Sequence, residues 1–181
     1  MHPLFRTLKL ALGAWLGRRS DMLETSSIQM RVWPNDLDIN LHVNNGRYLT
    51  LMDLGRLDMM IRSRTLGIIF KNKWYPVLGS ATVRFKRSLK LFEKFTLKTR
   101  ILGWDEKWVY MEHRIETPEH LAVIAIVKAL FRTKGRSIPS QELAEAFGHT
   151  GPSPVLGGFI KDWNLMEKDF DQAQDGQQNV V

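Results

Sequence analysis

The chain has no cysteine among its 181 residues, which removes disulfides, thiolate metal sites and a cysteine nucleophile together. That lack suits a reducing compartment, so a cytoplasmic protein is expected. Long apolar runs are missing too. Within Met1 to Ser20 the apolar stretch is interrupted by Lys9, which leaves it too short for a bilayer span of roughly 20 apolar residues, and no small-residue cleavage pattern follows it. Acidic residues are scarce beside basic ones, 19 against 26, leaving a formal charge of +7. This excess favours an anionic partner such as nucleic acid, a membrane surface or a phosphorylated carrier, or is simply a soluble basic surface. Nucleic acid is not expected, because the basic residues are not interleaved with aromatics on one recognisable face. No internal repeat is present, and low complexity is confined to residues 171–181, where Gln, Asp and Gly dominate and disorder is expected.

What is there suits one globular domain, with 44% hydrophobic and 25% charged residues. We divide it into a basic amphipathic segment (1–24), a central domain (25–150) and a C-terminal extension (151–181). The first segment reads as a helix lying on the domain or on a membrane surface, with the domain favoured. In the centre, Ile28 to Trp33 reads as a strand stopped by Pro34. A polar loop follows, and from Gly46 to Arg64 the residues Tyr48, Leu51, Met52, Gly55, Met59 and Met60 recur at helical spacing. Gly55 on that face lets the helix approach a sheet closely. Four strands are predicted next: Tyr75 to Arg87, Phe95 to Gly103, Lys107 to Glu116 and His120 to Thr133. Tight connections imply an antiparallel sheet, and the fold class is α+β.

The densest chemical signal runs from Asp36 to Tyr48: Asp-Leu-Asp-Ile-Asn-Leu-His-Val-Asn-Asn-Gly-Arg-Tyr. A carboxylate can activate water or attack a thioester carbonyl, and an imidazole moves protons near neutral pH. Backbone N–H groups at a helix start can bind the oxyanion that such an attack creates. The plainer readings stand beside these: Asp36 and Asp38 as turn-capping residues, His42 as a loop anchor, Asn44 as the helix cap. Asp53 and Asp58 read as solvated or interface acids. His42, His113 and His120 lie on separate elements without companions at ligand spacing, so neither a metal nor another cofactor is expected.

This run, followed by a helix and four strands, resembles the hotdog-fold thioesterases of the 4-hydroxybenzoyl-CoA thioesterase type, over roughly residues 28–135. It is also similar to the Asp-Leu-Asp-x-Asn-x-His-x-Asn-Asn-x-x-Tyr stretch of plant acyl-ACP thioesterases. The resemblance implies a hotdog fold, a sheet of about five strands wrapped around a central helix. It implies hydrolysis of an acyl-CoA or acyl-ACP, with Asp38 as base or nucleophile and the backbone N–H of Asn45 or Gly46 polarising the carbonyl. His42 and Asn40 join as orienting or proton-transfer groups. The plant enzymes carry a glutamate-cysteine element that this chain lacks, which leaves Asp38 the better candidate. The family pairs its sheets edge to edge, so a homodimer or a tetramer is expected.

Tyr48, Met52 and Met59, with Trp74 and Tyr75, are candidates to line an acyl tunnel, with core packing as the alternative for the methionines. For an anionic carrier two basic groups compete: Arg84, Lys86, Arg87 and Lys90, or Arg132, Lys134 and Arg136 with Ser137. The second is preferred because Gly135 frees the backbone there. Two other functions are weighed. A hydratase or dehydratase needs spacings around its histidine that this chain does not meet. A non-catalytic acyl-binding or lipid-binding module of the same fold needs only the pocket.

Overall fold

The computed structural model describes residues 3–178. A helix, α1 (Pro3–Leu16), precedes strand β1 (Ser26–Arg31) and a single 3-10 turn at Pro34–Asp36. Then come α2 (Asn45–Arg62), α3 (Thr65–Lys71), β2 (Tyr75–Phe85), β3 (Lys94–Trp104), β4 (Val109–Glu116) and β5 (Leu121–Thr133). A short β6 (Arg136–Ile138), α4 (Ser140–Ala146) and α5 (Gly158–Gln178) complete the order. The sheet runs β1-β3-β4-β5-β2, with β6 hydrogen-bonded to the end of β5. Every pairing is antiparallel.

The sheet wraps α2, as the resemblance implies, and α2 has the one apolar face that its helical spacing predicts. Tyr48, Leu51, Met52, Gly55 and Met59 form the buried stripe, one face of a 3.6-residue helix. Gly55 does what its place suggests: a Cβ there would stand 2.9 Å from a Leu97 methyl and collide with the Thr99 hydroxyl. Asp58, expected to be solvated or at an interface, is instead buried at 1% exposure. Ser26 donates to its carboxylate at 2.5 Å and Arg62 Nε at 2.8 Å, the pairing that a buried charge requires.

Helix α2 stops at Arg62 rather than Arg64, because Arg64 turns left-handed (φ 62°) to start α3. Three elements had no strong signal in the sequence: α3, β6 and α4 are each seven residues or fewer, too short for periodicity to declare itself. Helix α5 is the larger departure. It continues through Gln178, so residues 171–178 are helical where composition suggests disorder; residues 179–181 lie outside the described residues. The helix is seeded at its start, where Ile160 and Trp163 pack on Tyr110 and Trp108 across the outer face of the sheet. Asn164 donates to the Tyr110 hydroxyl at 2.6 Å and Glu167 pairs with Lys128. Among the described residues no helix is long and apolar enough to cross a membrane.

Candidate active site

The Asp36–Asn45 stretch folds into a small hairpin that delivers the chain to α2. Asn44 N–H donates to Asp36 O and Asp38 N–H to His42 O, each at 2.9 Å, flanking the Leu37–Val43 pair. At the tip, Leu41 N–H donates to Asp38 O at 3.1 Å, and Leu41 takes the left-handed conformation (φ 60°) that three-residue hairpin loops usually give to glycine. Alternation along a ladder sends opposed residues to one face. Val43 therefore turns into the core, at 3% exposure, while Asp38 and His42 face each other on the other side. One Asp38 oxygen accepts Asn40 N–H at 2.8 Å, a side-chain turn that fixes the carboxylate's direction. The second oxygen has no hydrogen bond among the described residues.

Asp36 is structural, as its plainer reading has it. Its carboxylate, 1% exposed, receives Arg6 Nη2 at 2.6 Å, Arg47 Nε at 2.8 Å and Trp33 N–H at 2.9 Å. Burial pushes this carboxyl up, but the hydrogen bonds from Arg6 and Arg47 outweigh it and hold the group below its ordinary value.

At the start of α2 the Asn44 side chain caps the helix by accepting Gly46 N–H at 2.9 Å. Of the two expected oxyanion donors, Gly46 is thus already engaged. Asn45 N–H has no partner among the described residues and remains the available donor. His42 is half-buried, pairs through its backbone with Lys90, and has no side-chain hydrogen bond among the described residues. Asn40 is exposed.

Tyr48 and Met52 are buried core residues, 2% and 0% exposed, and are not among the residues that wall the cavity between α2, the sheet and α4. The Tyr48 hydroxyl takes a long hydrogen bond from Leu89 N–H at 3.4 Å, and its ring lies 5.6 Å from Phe85. Burial raises its phenol above the ordinary value. The two basic groups stand at opposite ends of the sheet. Arg132 opposes Tyr75, while Val123 opposes Phe85, which separates the ends by about 30 Å along β5. Lys90 pairs with His42, and Lys86 N–H donates to Ala122 O, so Arg84, Lys86, Arg87 and Lys90 share the end occupied by the Asp38 hairpin. Arg132, Lys134 and Ser137 are exposed at the far end. Arg136 beside them is engaged by Glu142 through both of its terminal nitrogens, at 3.0 and 2.8 Å.

A cavity of about 210 Å³ opens between the second half of α2, the sheet and α4, walled by Met59, Met60, Met111, Phe131, Leu143 and Phe147. Asp53 and Arg56 form its polar end. Arg56 pairs with Asp53 and approaches His113 Nε2 at 3.0 Å, while His113 Nδ1 meets the Thr99 hydroxyl at 3.0 Å. Desolvation, aided by the Arg56 charge, lowers the His113 imidazole to about 3, so it is neutral. The sequence reading missed this group by treating His113 as solitary. Its signal was the period of two: His113 falls in phase with Met111 and Ile115 on the inward face of β4.

Against known proteins, a sequence profile described as the thioesterase-like superfamily matches residues 32–147. Protein THEM6 of Xenopus laevis is 34% identical over 117 residues, covering 65% of this chain and 56% of that protein. The chain spans little more than half the length of the first curated relatives it matches. Among solved structures, the probable thioesterase YbaW of Escherichia coli superposes with a TM-score of 0.62 at 21% identity, over 66% of this chain and 94% of that one. A mutant 4-hydroxybenzoyl CoA thioesterase complexed with 4-hydroxybenzoyl CoA superposes with a TM-score of 0.60 at 17% identity, over 67% and 97%. These likenesses establish the hotdog fold.

Proposed function

The chain belongs to the thioesterase-like superfamily, and from that membership and the hairpin before α2 we propose that it hydrolyses an acyl thioester of coenzyme A or an acyl carrier protein to free acid and thiol. The observation that carries this reading is the pairing of two uncommitted groups on one loop: the second oxygen of Asp38, whose first is held by Asn40 N–H, and the Asn45 N–H at the start of an 18-residue helix. Acting as a base, Asp38 takes a proton from water while the hydroxide adds to the thioester carbon. The carbonyl oxygen becomes an oxyanion that accepts the Asn45 N–H, helped by the positive end of the helix. Collapse breaks the C–S bond, and the thiolate takes up a proton as it leaves. Acting instead as nucleophile, Asp38 adds to the thioester carbon, the C–S bond breaks to release the thiolate, and water hydrolyses the resulting anhydride to the free acid and the Asp38 carboxylate. His42, opposite Asp38, serves either path as proton carrier, and Asn40 as the residue that orients the carboxylate.

A homodimer completes the site. Strand β2 has eleven residues and, among the described residues, no neighbour on its outer side, an edge that invites pairing. Antiparallel pairing of two β2 strands about Ser80 carries the Tyr75 end of a second copy, with its Arg132 and Lys134, to the Phe85 end of the first. A carrier phosphate is then met by Lys86, Arg87 and Lys90 from one chain and by the far hairpin of the other. Asp53 has a claim of its own, because it is the carboxylate in the cavity wall.

The test is thiol release from a panel of acyl-CoA and acyl-ACP substrates by the full chain and by Asp38→Asn. We expect that substitution to cost about a hundredfold or more in kcat, the scale of a lost general base. Undiminished turnover by folded Asp38→Asn overturns the assignment. Acyl ligands that co-purify without being cleaved favour the binding-module reading.

A further inference from the structure

Helix α1 is mounted with its apolar side facing out. Arg6, Leu10 and Ala14 point inward: Arg6 is 5% and Ala14 1% exposed, and Leu10 packs against the main core. The opposite side carries Leu4, Phe5, Leu8, Leu12, Trp15 and Leu16, each between 59% and 68% exposed. At about 100° per residue these six fall within an arc of about 120°. The helix cannot roll to hide them, because Arg6 is held by the buried Asp36 carboxylate at 2.6 Å. An apolar face of this extent on a small protein marks a contact surface.

The charge around the face identifies the partner. Residues 1–20 contain Arg6, Lys9, Arg18 and Arg19 and no acidic residue. Lys9 borders the apolar arc and is exposed, as are Arg18 and Arg19 just past the helix end. A second apolar tip stands at the same end of the fold. Phe92 N–H donates to Val32 O, one residue from the Arg31 carbonyl that Arg6 reaches. Phe92 is 50% exposed although it holds a left-handed backbone (φ 60°), a conformation a bulky residue adopts only at a cost.

We propose that α1 is an interfacial helix that docks the protein on an anionic lipid bilayer, lying in the headgroup plane with its Leu, Phe and Trp side chains in the acyl boundary and Lys9, Arg18 and Arg19 against lipid phosphates. The Arg6–Asp36 pair makes this helix a rigid part of the domain, so the bilayer sets the orientation of the hairpin that bears Asp38. The docking surface itself stands independently of the thioesterase reading.

The experiment is flotation of the full chain with vesicles of phosphatidylcholine alone, and with a third of the lipid replaced by phosphatidylglycerol. We expect the protein to float with the anionic vesicles and far less with the neutral ones. The double variant Leu8→Glu/Leu12→Glu should lose flotation about tenfold or more, since it replaces two inserted apolar groups with charges. Lys9→Glu should weaken flotation with the anionic vesicles alone. Both variants change exposed residues outside the candidate site, so circular dichroism and thioester turnover in lipid-free buffer should match the parent. No flotation of the parent on either vesicle overturns the proposal, as does flotation of the double variant equal to that of the parent. A lipid-free parent oligomer that the double variant breaks apart, with no flotation of the parent, also overturns it and assigns the face to a second copy.

Discussion

Arg6 Nη2 stands 2.6 Å from one oxygen of Asp36 while Arg47 Nε stands 2.8 Å from the other, so a single buried carboxylate joins α1, the motif hairpin and the first turn of α2. Removing one member leaves the rest charged and buried. Asp36→Ala should therefore destabilise the fold by about 3–5 kcal/mol, measured by urea unfolding. Arg47→Ala should cost less, because that side chain is 20% exposed and water can replace part of what it gives. A loss under about 1 kcal/mol for Asp36→Ala would mean that the pair is no tie at all.

Leu41 tells the opposite story, of local strain. Its left-handed backbone costs roughly 1–2 kcal/mol for a side chain with a Cβ, against roughly 0.5–1 kcal/mol of extra chain entropy for glycine. With 72% of Leu41 exposed, little packing is at stake. Leu41→Gly is expected to raise the thermal midpoint by a few degrees. A lower midpoint would show that the exposed leucine makes a contact worth more than the strain.

His113 gives the protein a pH dependence with a definite sign. Its native value, about 3, lies below its ordinary value of 6.5, so between these limits the unfolded chain binds the extra proton. Stability from this group is complete above about pH 6.5 and falls as pH drops towards 3, by up to about 1.4 kcal/mol per pH unit. Asp36, also lowered from its ordinary value of 3.8, gives stability that is complete above that value and is lost only as pH falls below it. Denaturation midpoints from pH 7 to pH 5 should fall in the parent and stay flatter in His113→Gln. An equal slope in the two would remove His113 as the cause.

The two carboxylates of the candidate site can be separated. Asp53, with its side chain 66% exposed, is expected to tolerate Asn with turnover within about threefold of the parent, whereas Asp38→Asn loses a general base. Steady-state kcat for both variants on one acyl-CoA decides the matter. The reverse result moves the chemistry to the mouth of the cavity.

The central helix and the four long strands were legible because each follows from short-range rules, whereas the hairpin before the helix reads from sequence only as a polar loop. Tyr48, Leu51, Met52 and Gly55 keep helical period, and Asn44 stands where a cap must stand. The short elements were not legible, since α4 gains its place only by packing Leu143 and Ala144 against β5. The long helix α5 depends likewise on Trp163 meeting Tyr110.

The same division runs through the site. The sequence determined which groups exist and their order along the loop: Asp36, Asp38, His42, and a helix start at Asn45. Local hydrogen bonding and helical period are fixed by neighbours in the chain. Only the tertiary structure decided that Asp36 is sealed by Arg6 from thirty residues earlier, that Tyr48 and Met52 belong to the core, and that Arg56, Thr99 and His113 meet. It alone put Arg132 at the far end of the sheet from Asp38. Each of these rests on contacts between segments far apart in the chain, which no local pattern records and which burial and charge pairing settle once the sheet has closed around α2.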